Sequence, residues 1–333
     1  MMSLIDRRRA WLPWLLLGLF ALATLTGPQR PELAAWWRWV WAGGDARAPL
    51  EALVLTELYL PRWQVALLIG AALGSAGCLL QRLTANPLAS PGLLGLNQGA
   101  ALGLVCLLVS PWPFTPMGAW LAAVVGAAVA MLLVFGIVRL ATGGLAIDGL
   151  LLFGALFGTL LGALVTLVLL IDQHALDVIR FWLAGSLAQV VPSQIGPLAL
   201  VVIPTLAVAL LVSRPLEILE TGRDTAASLG VDPRLVLLGV AALVLLLTAA
   251  AVAVSGPILF AGLVVPHMAR FWLGDRLWRQ LLGSMLLGAL LLLTADALIL
   301  RLDDQDRLPP SLALSLMGVP WFLWLVRRRY LAC

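Results

Sequence analysis

The sequence predicts an all-α polytopic membrane protein of about ten transmembrane helices, and three observations carry that expectation. Of the 333 residues, 62% are hydrophobic and 11% charged, against about a quarter charged in soluble domains, and the mean hydropathy is +1.03. The apolar runs of Leu, Ala and Val lack period-two alternation. Lipid cannot satisfy a free backbone, so only helices and closed barrels span it, and this pattern selects helices. The charges are also segregated: all 21 basic residues are arginine, and they gather preferentially on one set of alternate connections.

The first apolar run, Trp11 to Thr26, follows three arginines and is read as a membrane anchor rather than a cleaved signal, because no A-x-A-like site precedes the next polar stretch. Gly27 to Glu57 carries Trp36, Trp37, Trp39 and Trp41, amphipathic rings that favour a membrane interface. Span two covers about Pro61 to Leu83 and ends at Asn86-Pro87. Span three, about Leu93 to Val109, holds Gly95, Gly99 and Gly103, a small-xxx-small face that lets helices approach closely. Spans four and five follow at about Met117 to Leu140 and Gly149 to Ile171. Asp172 to Gln189 is too polar and short to cross and reads as a partial helix at the outer surface.

Span six covers about Ile195 to Val212. Then comes a charged island, Arg214 to Arg234, in which seven of twenty-one residues carry charge. It cannot sit in lipid. Pro215 suits a helix start and Gly222 its end; Asp224 or Thr225 suits the cap of a second short helix that Gly230 would stop. Such short helices are marginal alone in water, so the island is either a solvated loop or a pair of mini-helices docked on something. Span seven, Leu235 to Val254, breaks at Ser255-Gly256-Pro257. Span eight runs to about Val265 before Pro266-His267, span nine covers about Leu281 to Leu300, and span ten about Ser311 to Val326.

Ten spans put both termini on one side. With that side cytoplasmic, fourteen arginines lie inside and seven outside, which together make the 21, and this bias supports the orientation. The island then faces the cytoplasm. A phosphate-binding P-loop needs a lysine and this chain has none, so ATP-driven work falls to a partner chain that would hold the ATP and magnesium. Cys78, Cys106 and Cys333 show no paired spacing, so no disulfide framework or metal site is expected. His267 and His174 lie on opposite sides, and a metal site would lack ligands. No nucleophile, base or metal constellation is visible, which argues against an enzyme. Asp296 is the one acid placed inside a span; it must face protein or water, either as a structural hydrogen-bonding group, the preferred reading, or as a proton relay. Asn97 and Gln98 in span three would touch cargo or tie helices together.

Four stretches together resemble one family. They are LPRWQVALLIGAALGSAGCLLQRLTANPLASPGLLGLNQGAALG at Leu60 to Gly103, ETGRDTAASLGVD in the island, SGPILFAGLVVPHMARF at Ser255 to Phe271, and LLLTADALILR with LPPSLALSLMGVPWFLWLVRR near the end. In this order they are similar to the permease subunits of binding-protein-dependent ABC importers for iron-siderophores, haem and cobalamin. The resemblance implies a single permease domain over 1–333, in the inner membrane with both termini cytoplasmic. It implies a second permease copy or similar chain, two cytoplasmic ATPase subunits and a periplasmic binding protein, with membrane lipid around the subunit and no nucleic acid.

It also implies roles for named residues. The 214–234 loop would couple to the ATPase through Glu220, Arg223, Asp224, Thr225, Ala226, Ala227, Ser228, Leu229 and Gly230. A cytoplasmic gate would lie at Asn86 and Leu88. Its second element falls on Ile147 and Asp148, where a cobalamin member has a small hydroxyl pair. Arg62 and Arg301 would dock the binding protein; a further family arginine is replaced here by Tyr59, which Arg307 would offset. The implied cargo is an iron-siderophore, with haem or cobalamin as alternatives within the family. An ion-gradient transporter using Asp296 is the reading from outside it.

Overall fold

A computed structural model of the chain describes residues 15, 17, 18, 57, 59–143, 147–302 and 308–330. Among them are eleven α-helices and no strand: α1 Leu60–Leu83, α2 Leu96–Leu108, α3 Pro116–Thr142, α4 Ile147–Ile171, α5 Gln173–Leu183, α6 Ile195–Glu220, α7 Arg223–Ser228, α8 Pro233–Ser255, α9 Ala261–Leu273, α10 Leu277–Leu302 and α11 Pro310–Tyr330. Among the described residues, six helices are long and apolar enough to cross a membrane. Spans two to ten each have a helix. Most of the expected span one lies outside the described residues.

α1 is the axis of the bundle. It packs against α6, α8, α9 and α10, and 78% of its most apolar stretch is buried, against 22% in α6 and 28% in α4. Its composition permits this, because glycines at one face replace side chains with backbone contact. A Cβ on Gly70 would lie 2.2 Å from the Gly288 carbonyl oxygen of α10, and one on Gly77 would lie 1.8 Å from that of Gly262 in α9. Without a hydrophobic drive between helices in lipid, such close approach is what dispersion packing requires. The glycines of span three act the same way. Gly99 and Gly103 meet Gly126 and Ala122 of α3, while Gly95 faces Gly154 and Gly158 of α4.

Four element boundaries differ from the sequence reading. Span three does not start as an α-helix at Leu93: Pro91–Leu94 forms a 3-10 turn, Gly95 reverses at φ +76°, and α2 begins at Leu96. Its 13 residues span only about 20 Å, short of the roughly 30 Å hydrocarbon core. The first mini-helix of the island is absent as a separate element, because α6 runs unbroken through Pro215 to Glu220. The second exists as α7, with Gly222 at the cap position rather than Asp224 or Thr225, and Gly230 at φ +79° follows it as expected.

Span eight does not stop before Pro266-His267; α9 continues through both to Leu273. A proline inside a helix frees the carbonyl four residues back. Here the Gln81 side-chain amide of α1 donates to that carbonyl, Gly262, at 3.4 Å and to Leu263 at 3.1 Å. The helix survives its proline because a neighbour supplies the missing donor.

The Ser255-Gly256-Pro257 break is present, and it is also a contact. Gly256, at φ +70°, lies so close to α5 that a Cβ would fall 1.8 Å from the Trp182 carbonyl oxygen. The partial helix expected at 172–189 is therefore real: Asp172 caps α5 by accepting from the Ala175 N–H at 3.1 Å, and Ala175 and Ile179 are buried.

Candidate functional site

The chemistry-bearing residues gather at the two ends of the bundle. At one end lie the C-termini of α1, α6 and α9, the N-termini of α8 and α10, and α7. Here Arg82, in the last turn of α1, ties three elements together. Its Nε lies 2.8 Å from Glu220 Oε1 of α6, and its Nη2 donates to the Asp275 carbonyl, between α9 and α10, at 3.1 Å. Arg270 pairs with the Asp275 carboxylate. Glu217 accepts from the Leu277 N–H at 2.5 Å, which places a carboxylate on the unsatisfied N-terminus of α10, where the helix dipole favours it. Burial raises the pKa of the Glu220 carboxyl above its ordinary value, against the opposing pull of Arg82.

Against this network stands α7. Only Ala226 of its six residues is buried, and the Val231 N–H donates back to its carbonyl at 2.9 Å. Arg223, Asp224, Thr225, Ala227 and Ser228 are exposed, as are Leu229 and Gly230 after it. The nine residues assigned to coupling therefore divide. Glu220 anchors α6 to α1, Ala226 seats α7 on its own chain and is not available to a partner, and the remaining seven form the outward surface. Reading the residues missed Arg82, Glu217 and Asp275. The available signal was the Glu217/Glu220 spacing, which puts two acids on one helical face, next to an arginine ending another helix.

At the same end, the chain leaving α1 turns at Ala85, whose φ is +48°. The Asn86 side-chain oxygen accepts from the Leu88 N–H at 2.9 Å, closing an Asx turn, and Leu88 is left 57% exposed. The 3-10 turn that follows packs on α4; a Cβ on Gly154 would fall 2.6 Å from the Leu93 carbonyl oxygen. Ile147 and Asp148 open α4, so the backbone brings both assigned gate stretches to one end. The side chains of Ile147 and Asp148 fall outside those described. Gln98, expected to touch cargo or glue helices, lies beside Gly158 and Gly162 of α4, and Asn97 is buried.

At the opposite end, Arg62 is not an outward-reaching group. Its guanidinium grips Asp296 with two bonds, Nε to Oδ2 and Nη2 to Oδ1, each 2.8 Å, and the two side chains are 9% and 0% exposed. The planar fork of arginine matches a carboxylate in this way. In this structure the guanidinium expected to dock a binding protein is turned inward and held two-handed by Asp296. Asp296 gains the structural partner its burial demands, which is the preferred reading of that acid. Arg301, one and a half turns further along α10, is exposed; Arg307 lies outside the described residues. His267 donates through Nδ1 to the Leu263 carbonyl, 2.8 Å away, a bond within its own helix. Among the described residues no group of three metal-ligating side chains occurs.

A family model described as the FecCD transport family matches residues 15–328. The Fe(3+) dicitrate transport system permease protein FecC of Escherichia coli (strain K12) is 43% identical over 285 residues, covering 84% of each chain. The hemin transport system permease protein HmuU of Yersinia pestis is 40% identical over 279 residues, covering 82% of this chain and 83% of that one. A solved structure described as an inward-facing conformation of a metal-chelate type ABC transporter superposes with a TM-score of 0.82 at 27% identity, covering 97% of this chain and 99% of that one.

Proposed function

The chain belongs to the FecCD transport family, and on that footing we propose that it forms the membrane path for a ferric chelate entering the cell through the inner membrane. The observation that carries the cargo class is its 43% identity, across 84% of both chains, to a ferric dicitrate permease. In this reading the α7 end faces the cytoplasm and both termini lie there. Two copies of the chain, or this chain and a similar one, enclose the path. ATP and magnesium belong to two separate cytoplasmic ATPase subunits, and a binding protein delivers cargo from outside.

The outward surface of α7 and the residues after it meets the ATPase. The Arg82 network makes that contact effective. A force applied at α7 reaches α6 directly, and the ion pair of Glu220 with Arg82 passes it to α1, the central helix, without a flexible joint. Asn86 and Leu88, with the start of α4 at Ile147 and Asp148, form the cytoplasmic mouth. Arg301 is the docking arginine of the outer face, with Arg62 serving to hold α1 to α10 beneath it. The single domain over 1–333 is moved as one bundle by the coupling loop at 214–234.

Proteoliposomes holding the permease, its ATPase and its binding protein test this. Radiolabelled iron supplied as ferric citrate should enter only with internal-facing ATP and the binding protein present. Uptake driven by a proton or sodium gradient without ATP would overturn the importer reading. ATP-dependent uptake of haem with none of ferric citrate would move the cargo within the family.

A further inference from the structure

A large cavity among the described residues lies away from the Asn86 and Leu88 mouth and borders the coupling helix α7 at one end. It is an apolar groove of about 860 Å³ between the second half of α3 and the first half of α8. Leu132 and Leu238 on its walls are 69% and 47% exposed. Its mouth is basic: Arg139 ends α3, Arg223 opens α7 and Arg234 opens α8, all lining the cavity. All three arginines are exposed, and none forms an ion pair among the described residues. Asp232, the one acid among the described residues that line the groove, already accepts from the Arg234 N–H at 2.8 Å as the cap of α8.

We propose that this groove binds an anionic phospholipid of the cytoplasmic leaflet, its acyl chain between α3 and α8 and its phosphate on Arg139, Arg223 and Arg234. Two features select that occupant. The wall is hydrocarbon-lined along one half of each of two spanning helices, which suits an acyl chain. The cations sit only at the end where these helices leave the membrane, the level of a headgroup. Basic pockets between spanning helices on the cytoplasmic side recognise anionic headgroups in this way. Arg223 belongs to α7, so the bound phosphate would join the coupling helix to the ends of α3 and α8.

The proposal rests on the assignment of the α7 end to the cytoplasmic leaflet. Lipid binding in micelles is read without orientation or transport, so its failure and the failure of the importer reading are separate results. Native mass spectrometry of the full-length permease, titrated with phosphatidylglycerol or phosphatidylcholine, should show preferential retention of phosphatidylglycerol. Each of Arg139→Gln, Arg223→Gln and Arg234→Gln should reduce that preference roughly fivefold at low salt, the triple variant combining all three should abolish it, and salt should reduce it in the parent. Ala242→Trp, which fills the groove wall and leaves the arginines in place, should weaken both lipids; it keeps the test open if the triple arginine variant fails to fold. Glycerol phosphate, which has the anion without the chain, should not compete. A benzophenone amino acid at Leu238 should cross-link phospholipid.

Undiminished preference in the folded triple variant would overturn the proposal. So would competition by glycerol phosphate equal to that of the lipid, or a cross-link that captures only a peptide, from residues 1–56 or from a second copy.

Discussion

Asp296→Asn keeps the shape of the side chain and removes the charge that the Arg62 guanidinium grips, in a site where the arginine side chain is 9% exposed. The two charge-assisted bonds of 2.8 Å to the carboxylate give way to a neutral amide that offers one acceptor oxygen in place of two. Breaking a buried pair by removing one partner costs about 3–5 kcal/mol, chiefly through the uncompensated charge. That corresponds to a loss in folding equilibrium of roughly 150-fold to 5,000-fold. The double variant Arg62→Met with Asp296→Leu removes both charges and retains apolar volume, so it should recover most of the loss. Unfolding of the purified permease in mixed micelles, followed by tryptophan fluorescence, gives both values and closes the cycle with Arg62→Met. A cost below about 1 kcal/mol for Asp296→Asn would refute the reasoning, since a pair worth so little behaves like an exposed one. Normal stability with abolished transport would instead make Asp296 a working group.

Three further outcomes follow from the packing. Gly77→Ala should destabilise by well over the roughly 1–3 kcal/mol of ordinary overpacking, since its Cβ would lie 1.8 Å from backbone, whereas Gly239→Ala, with nothing within 4 Å, should be neutral or slightly stabilising; thermal unfolding of the two variants compares them. Ala227→Trp should leave the permease folded and abolish its assembly with the ATPase in a pull-down, while Ala226→Trp, at a 0% exposed position, should disturb α7 itself and raise its protease sensitivity. Arg82→Ala should leave lipid insertion normal and lower transport-coupled ATP hydrolysis, with Glu220→Ala reproducing the effect and the double variant adding little; additive losses would show that the pair does not act as one link.

The sequence by itself determined the class and the plan. Hydrocarbon admits only self-satisfied backbone, so runs of Leu, Ala and Val dictate helices, and the island at 214–234 is too charged for anything but an end of the bundle. Local stereochemistry made several boundaries legible as well: Asn86-Pro87, Ser255-Gly256-Pro257, and Gly230 after α7 at φ +79°. The glycine face of span three was equally readable, because a missing side chain has a local meaning wherever helices must approach.

Pairings between distant parts of the chain were decided only by the tertiary structure. Pro266 looks like a stop until Gln81, 181 residues from Gly262 in sequence, supplies its freed carbonyl with a donor. Pro215 looks like a helix start until α6 is seen to run through it. Arg62 reads as an outer anchor or docking group, and Asp296 as an acid in need of a partner. Nothing local joins two residues 234 positions apart. Their roles follow from desolvation, which depends on what surrounds a charge in space, and a charge's spatial neighbours are fixed only when α1 closes against α10.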